Sequence, residues 1–271
     1  MKIKKNNLDK RSKYLRQLVV DCLLGGGRGH MGSAMSLIEI LRVLYDDIVK
    51  FNNKDPKEEN RDKIILSKGH GCLALYSILA DKNFFDKKIL KTSSKFDSIL
   101  GGHPETKVPG VEASTGALGH GLPIGVGMAL AAKLKKKKFN IYVILGDGEI
   151  NEGSVWEAAL IASKHKLDNL NLILDYNKMQ SYGATKTVLN LEPLKDKWKS
   201  FGFYVKEIDG HNVSHLRKNF RAMLKIKNSP KISICHTIKG KGFYFAENNP
   251  FWHHKNSFTD EEIKMINKCL K

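Results

Sequence analysis

What the chain has little of narrows its class first. Its 271 residues include only 4 cysteines (Cys22, Cys72, Cys235 and Cys269), scattered without CxxC spacing. They outline no disulfide framework and fit the reduced thiols of a cytoplasmic protein. No stretch approaches the roughly 20 apolar residues that a membrane helix needs. The longest apolar segments, such as Ile141–Leu145, are strand-sized. The basic start, Met1-Lys-Ile-Lys-Lys-Asn-Asn, is followed by polar residues and is no secretory signal. Arginine is scarce as well. The formal net charge is +18, yet of 46 basic side chains only seven are arginine, at positions 11, 16, 28, 42, 61, 217 and 221. Nucleic-acid readers favour the planar guanidinium fork, and here lysine is spread over the whole chain, with one dense run at 133–138. The balance reads as a solvated, lysine-rich surface and argues against a nucleic-acid partner. An acidic substrate or partner stays open.

What is present is a chain long enough for a substantial core, with no internal repeat and no linker. Residues 8–24 carry apolar side chains at helical spacing, and the glycines at 25, 26, 27 and 29 end that helix in a loop bearing His30. A second helix is expected from Ser36 to Val49. Lys63–Ser67 reads as a short strand running into Lys68-Gly-His-Gly and a helix over Cys72–Ala80. Residues 101–125, rich in glycine, read as an extended loop region holding His103 and His120. Then comes a clear βαβ rhythm. Strands are expected at 141–145, 170–176, 203–208 and 231–235, with helices at 152–166 and 211–226 between them and a last helix at 260–270. Alternation of this kind means a mostly parallel sheet with helices on both faces, and one α/β domain over residues 1–271.

In such a sheet, ligands bind beyond the carboxyl ends of the strands. Two strand ends carry unusual polar residues: Gly146-Asp147-Gly148-Glu149-Ile150-Asn151-Glu152, and Asp175-Tyr176-Asn177-Lys178-Met179. Asp147 and Asn177 are one crossover apart, so on neighbouring parallel strands they converge at one edge. A carboxylate and an amide oxygen are hard ligands that suit Mg²⁺ or Ca²⁺ together with phosphate oxygens. Gly148 would let a diphosphate approach the backbone. Alone, each half reads as an ordinary turn or loop. Together they favour metal–diphosphate binding.

Gly146-Asp-Gly, Glu152 and Asn177 resemble the thiamine-diphosphate signature, and their surroundings resemble the N-terminal part of transketolase. The resemblance runs through Gly29-His-Met-Gly (family pattern Ser-Gly-His-Pro-Gly), Leu66-Ser-Lys-Gly-His-Gly, Gly102-His-Pro-Glu, Ser114-Thr-Gly-Ala-Leu-Gly-His-Gly, Gly146-Asp-Gly-Glu, Lys239-Gly-Lys-Gly and Glu247-Asn-Asn-Pro-Phe-Trp-His. It implies that Asp147, Asn177 and the carbonyl of Met179 hold Mg²⁺, for which Ca²⁺ or Mn²⁺ can stand in. It implies that His70, Gly148 and His253 contact the cofactor's diphosphate side. Gly116, Ala117 and Leu118 would line its aminopyrimidine and thiazolium. His30, His70, His103 and His253 would crowd the reacting carbon, and Glu152 would sit in a subunit interface coupling two active sites. His254 adjoins His253, so the family histidine falls on one of the two; the one directly after Trp252 matches the pattern. Histidine is the residue type suited to moving hydroxyl protons near neutral pH.

The remaining histidines read as structural. His165, His215 and His236 have no motif around them, and His211 reads as a cap of the following helix. Trp156 reads as core. Met31 stands in place of the family's proline and His120 where glutamine is common, departures that bear on the donor-sugar pocket. A whole transketolase continues into pyrimidine-binding and C-terminal domains that supply the cofactor-activating acid and the arginines gripping the sugar phosphate. The expectation is therefore a split enzyme: this chain as the diphosphate-binding subunit, a separate subunit carrying the other domains, an α₂β₂ assembly, and transfer of a ketol unit between sugar phosphates. The alternatives are a subunit of a 2-oxoacid dehydrogenase, a relative of deoxyxylulose-phosphate synthase, an inactive structural subunit, or, in another class, a basic nucleic-acid-binding protein.

Overall fold

Among the described residues five strands, all parallel, run in the order β1-β2-β3-β5-β4. The structure is a computed structural model describing residues 8–270; the basic start at residues 1–7 lies outside it. In chain order the elements are α1 (Lys10–Gly26), α2 (Met31–Met35), α3 (Ile38–Val43), β1 (Lys63–Leu66), α4 (Cys72–Asp81), α5 (Gly121–Leu134), β2 (Ile141–Gly146), α6 (Gly153–Lys164), β3 (Leu170–Tyr176), α7 (Thr185–Val188), α8 (Leu194–Ser200), β4 (Tyr204–Asp209), α9 (Val213–Met223), β5 (Lys231–His236) and α10 (Asp260–Leu270). No helix among the described residues is long and apolar enough to cross a membrane, and all four cysteines are free thiols.

Strand alternation separates two cores. Ile64, Leu66, Tyr142 and Ile144 point into one, shared with α1, α3, α4 and α9. Ile65, Val143, Leu145, Leu172 and Leu174 point into the other, shared with α5, α6 and α8. Both faces of β2 and β3 are therefore buried, which is why β2 reads as an unbroken apolar run and β3 as one interrupted only by the buried Asn171 and Asp175. Helices do cover both faces, as expected. β1 and β4 are the edge strands, and the exposed Lys206 and Glu207 of β4 discourage further pairing there.

Three local expectations change. α1 continues through Gly25 and Gly26 and stops at Gly27, whose φ of 68° provides the left-handed cap. The helix expected over 36–49 starts at Ile38, as α3 running into a π-helical turn at Leu44–Ile48, and the short α2 precedes it. α2 and α3 are separated at Ser36, whose hydroxyl bonds the Ser33 carbonyl at 3.1 Å and the Asp175 carboxylate at 2.6 Å. The glycine-rich region is loop only to residue 120, because α5 begins at Gly121. Pro123 sits in its first turn, where a missing N–H costs nothing.

Candidate active site

Four neighbouring strands end at one edge of the sheet, and each delivers polar side chains there. β1 runs into Lys68 and His70, β2 into Asp147–Glu149, β3 into Asn177–Gln180 and β5 into Lys239. With Gly116, Leu118, His30 and His253 they line a cleft of ≈ 790 Å³, its open mouth included. The register explains the meeting. Gly146 lies opposite Asp175, so the residues that follow leave the sheet side by side. Asp147 accepts hydrogen bonds from the backbone N–H of Gly148 (2.9 Å) and of Lys178 (2.6 Å). Asn177 Oδ1 accepts from the Met179 N–H at 3.1 Å, and its amide donates to Asp175 at 3.3 Å. The Met179 carbonyl faces the same space, accepting from Lys239 Nζ at 3.1 Å.

Beneath this lies a buried ion pair, Lys68–Asp175, with side chains 1% and 0% exposed. Asp175 also accepts from Ser36 and Thr237. Burial works against its charge, but Lys68 and these donors prevail and hold its carboxyl below the usual range. Asp147 goes the other way. Burial, and then the neighbouring charge of Asp175, push it up to about 6, with Lys68 opposing. Burial and Lys68 pull Lys239 down to about 8, against Asp147 and Asp175. A divalent cation beside Asp147 and an anion beside the two lysines would each relieve a strained charge.

The histidines cluster. The His30 ring centroid lies 5.5 Å from that of His70, 5.2 Å from His253, 6.2 Å from His103 and 4.4 Å from His254. Burial, then the adjacent rings of His254, His253 and His103, pull His30 down to about 3. Burial and the lysines 239 and 68 pull His253 down to about 4, and burial holds His70 well below its usual value. These rings are neutral near pH 7, so each can accept a proton through one nitrogen and donate through the other. His253 lines the main cleft. His254 and His103 line a smaller hollow on the other side of His30, with Arg28 and Ser94. At Gly116, φ is 148° and a Cβ would stand 3.0 Å from the His103 ring, so no side chain fits there.

The residues present suit a metal–diphosphate group. Ser33 Oγ, Gln180 Nε2 and His253 Nδ1 are buried in this cleft without a hydrogen-bond partner, an arrangement that calls for a polar ligand. Asp147, Asn177 and the Met179 carbonyl are a carboxylate, amide and carbonyl oxygen set of the kind Mg²⁺ takes. Among the described residues there is no cluster of three histidine, cysteine or acidic side chains placed to hold a metal.

The family model of the transketolase thiamine diphosphate-binding domain matches residues 8–270. The chain belongs to the transketolase family. It is 42% identical over 247 residues to an apulose-4-phosphate transketolase subunit of Phocaeicola vulgatus, covering 91% of this chain and 88% of that one. It is 38% identical over 259 residues to a 6-deoxy-6-sulfo-D-fructose transketolase subunit of Clostridium sp. (strain MSTE9), covering 95% and 94%. The transketolase structure from Leishmania mexicana superposes with a TM-score of 0.90 at 30% identity, over 96% of this chain and 41% of that one. This chain thus spans about two fifths of that transketolase, and the fold expected from the resemblance is the fold found.

Other residues lie outside the two hollows. Ala117 and Glu152 are exposed and line neither, and Glu152, expected at a subunit interface, stands beside Gly119 at the start of α6. Met31 is fully buried, His120 is exposed with its ring on the Leu118 carbonyl at 3.0 Å, and neither lines the cleft. His211 is not the helix cap. Asn212 caps α9, while His211 joins Glu39 (2.8 Å) to the Ile238 N–H (2.8 Å). His165, His215 and His236 lie away from the site, and Trp156 packs on Trp198 and Phe201. Three partners had no sequence signal beyond lying inside motifs. Lys68 and Lys239 are two lysines among many. Glu149 is buried and ties Gly119 N–H (3.0 Å) to Gly146 N–H (3.1 Å).

Proposed function

We propose that this chain is the diphosphate-binding subunit of a split transketolase, moving a two-carbon ketol unit from a ketose to an aldose. The observation that carries the reading is the convergence of Asp147, Asn177, the Met179 carbonyl, Lys68 and Lys239 beside four packed histidines. In this reading Asp147, Asn177 and the Met179 carbonyl hold Mg²⁺. Lys68, Lys239, His70, His253 and the Gly148 backbone face the diphosphate, and Gly116 and Leu118 pack on the rings. Thiamine diphosphate, when bound, supplies the nucleophilic carbon and the electron sink for the two-carbon unit. The chain's own part is position and proton transfer. His30, His70 and His253, neutral at working pH, take protons from sugar hydroxyls at one ring nitrogen and return them from the other, and His103 closes the far side.

A separate subunit carrying the remaining domains completes the site, in an α₂β₂ assembly with Glu152 at the contact between subunits. The names of the relatives that this chain matches over most of their length, transketolase subunits, support a partner. The test has two arms. Asp147→Ala should abolish Mg²⁺-dependent thiamine diphosphate binding by calorimetry while the far-ultraviolet circular dichroism stays unchanged; unaltered affinity sinks the metal assignment. The chain purified with its co-expressed partner should transfer ketol units, and alone it should not. Full activity of the single chain refutes the split.

A further inference from the structure

Arginine is rare in this chain, and nearly every one is committed. Arg11 meets Asp46 and Asp81, Arg16 meets Glu39, and Arg42 meets Asp9. Arg61 meets Glu112, and Arg217 and Arg221 share Asp47. Arg28 alone has no hydrogen-bond or ion-pair partner among the described residues. It is also the arginine that lines the smaller hollow beside the histidines, where it stands with His30, Ser94, His103 and His254. Among the described residues no carboxylate lines that hollow to compete for the guanidinium.

The position is fixed from both sides. Gly27 caps α1 just before it. Gly29 just after it is bridged to Lys255, N–H to carbonyl at 2.9 Å and back at 3.0 Å. That bridge sets Arg28 against His254. Burial, then the Arg28 charge and His103, hold the His254 imidazole below its ordinary value, so the cation is felt inside the hollow. In the family pattern that the sequence follows here, the Arg28 position is a serine.

We propose that Arg28 binds the anionic terminal group, a phosphate or a sulfonate, of the sugar that this site takes. Resting on the ketol-transfer reading, this adds a contact from this chain to the arginines that the family resemblance places on the partner subunit, and lets this chain favour charged over neutral sugars. A guanidinium presents paired N–H donors that match two oxygens of a tetrahedral oxyanion. Ser94 and a neutral imidazole add uncharged donors around it. His30 lines both the cleft and the hollow, so the two adjoin at its ring. The competing account is that Arg28 only answers the partial negative charge at the carboxyl end of α1.

The experiment compares wild type, Arg28→Ser and Arg28→Lys, each purified with the partner subunit. The readout is kcat/KM for matched ketoses ending in a phosphate, a sulfonate or a free hydroxyl. Arg28→Ser should lower the ratio of charged to neutral substrate about 10- to 100-fold, mainly through KM, as loss of a charge-assisted bond does. Arg28→Lys should restore part of it, since the charge returns without the fork. A larger loss on the phosphate than the sulfonate marks a phosphate site, and the reverse a sulfonate site. An unchanged ratio, with only thermal stability lowered, refutes the proposal in favour of the helix-end role. Should the wild-type complex show no ketol transfer, the isolated chain is titrated with inorganic phosphate and the His103 and His254 ring signals are followed by NMR. Shifts in wild type that vanish in Arg28→Ser support the anion site on their own; their absence in wild type overturns it.

Discussion

Replacing Arg16 with methionine tests how much a buried ion pair carries in this fold. The Arg16 and Glu39 side chains are 0% and 2% exposed and pair through contacts of 2.6 and 3.0 Å. Arg16 also donates to the carbonyls of Lys241 (2.9 Å), Ser12 (3.3 Å) and Met35 (3.3 Å), so it ties α1, α2 and the Lys239 loop together. Arg16→Met leaves Glu39 buried with His211 as its main donor. Breaking a buried pair from one side costs about 3–5 kcal/mol. The unpaired carbonyls push toward the upper end and His211 toward the lower, so about 4 kcal/mol is expected, a large share of the usual 5–15 kcal/mol. Urea unfolding followed by tryptophan fluorescence measures it. Arg217→Met is the control: its pair with Asp47 is 38% and 19% exposed, and it should cost less than about 1 kcal/mol. Adding Glu39→Leu to Arg16→Met should recover part of the loss, because no buried charge is then stranded. Arg16 and His211 hold the Glu39 carboxyl below its usual range against burial. Its stabilising effect is therefore complete above about pH 4.5 and lost as pH falls toward the folded value; the variant should lose much of that acid dependence. Equal costs for the Arg16 and Arg217 variants would refute the reasoning.

Other consequences can be checked as directly. His30, His70 and His253 have lowered folded values, so below about pH 6.5 the unfolded chain takes up protons that the fold refuses. Stability of the cofactor-free chain should be full above that pH and fall by roughly 2 kcal/mol by pH 5.5, after halving for partial exposure. A flat denaturation midpoint from pH 7 to 5.5 would contradict this. Two glycines of α5 should behave oppositely. A Cβ on Gly127 meets nothing within 4 Å, so Gly127→Ala should stabilise by about 0.5–1 kcal/mol. A Cβ on Gly125 would stand 2.5 Å from Val143, so Gly125→Ala should destabilise by about 1–3 kcal/mol in the same urea assay.

The strands and the Asp147–Asn177 pairing were legible because both rest on short-range pattern. Buried parallel strands are continuous apolar runs, and one crossover sets the spacing of their ends. α5 was hidden for the opposite reason. Gly121, Gly125 and Pro123 look like loop residues, and only tertiary packing under Val143 explains the glycine at 125. Lys68 meets Asp175 across 107 residues of chain, and His211 meets Glu39 across 172. No local signal marks such a pair, so one lysine among many stays anonymous and His211 passes for a cap. The resemblance to the family supplied the histidine cluster. It could not supply Arg28, where this chain departs from the pattern.

The bridge between Gly29 and Lys255 also has a temporal meaning. It joins the first loop after α1 to a segment near the end of the described chain, as the Arg16 bond to the Lys241 carbonyl does across 225 residues. Closing so long a loop is entropically expensive until the intervening sheet has formed. During synthesis the helices around α1 can pack early, while the histidine cluster waits for the last part of the chain to arrive. A proteolytic clip near Lys255 should accordingly spare the sheet and its two cores, yet release the loop that holds His30.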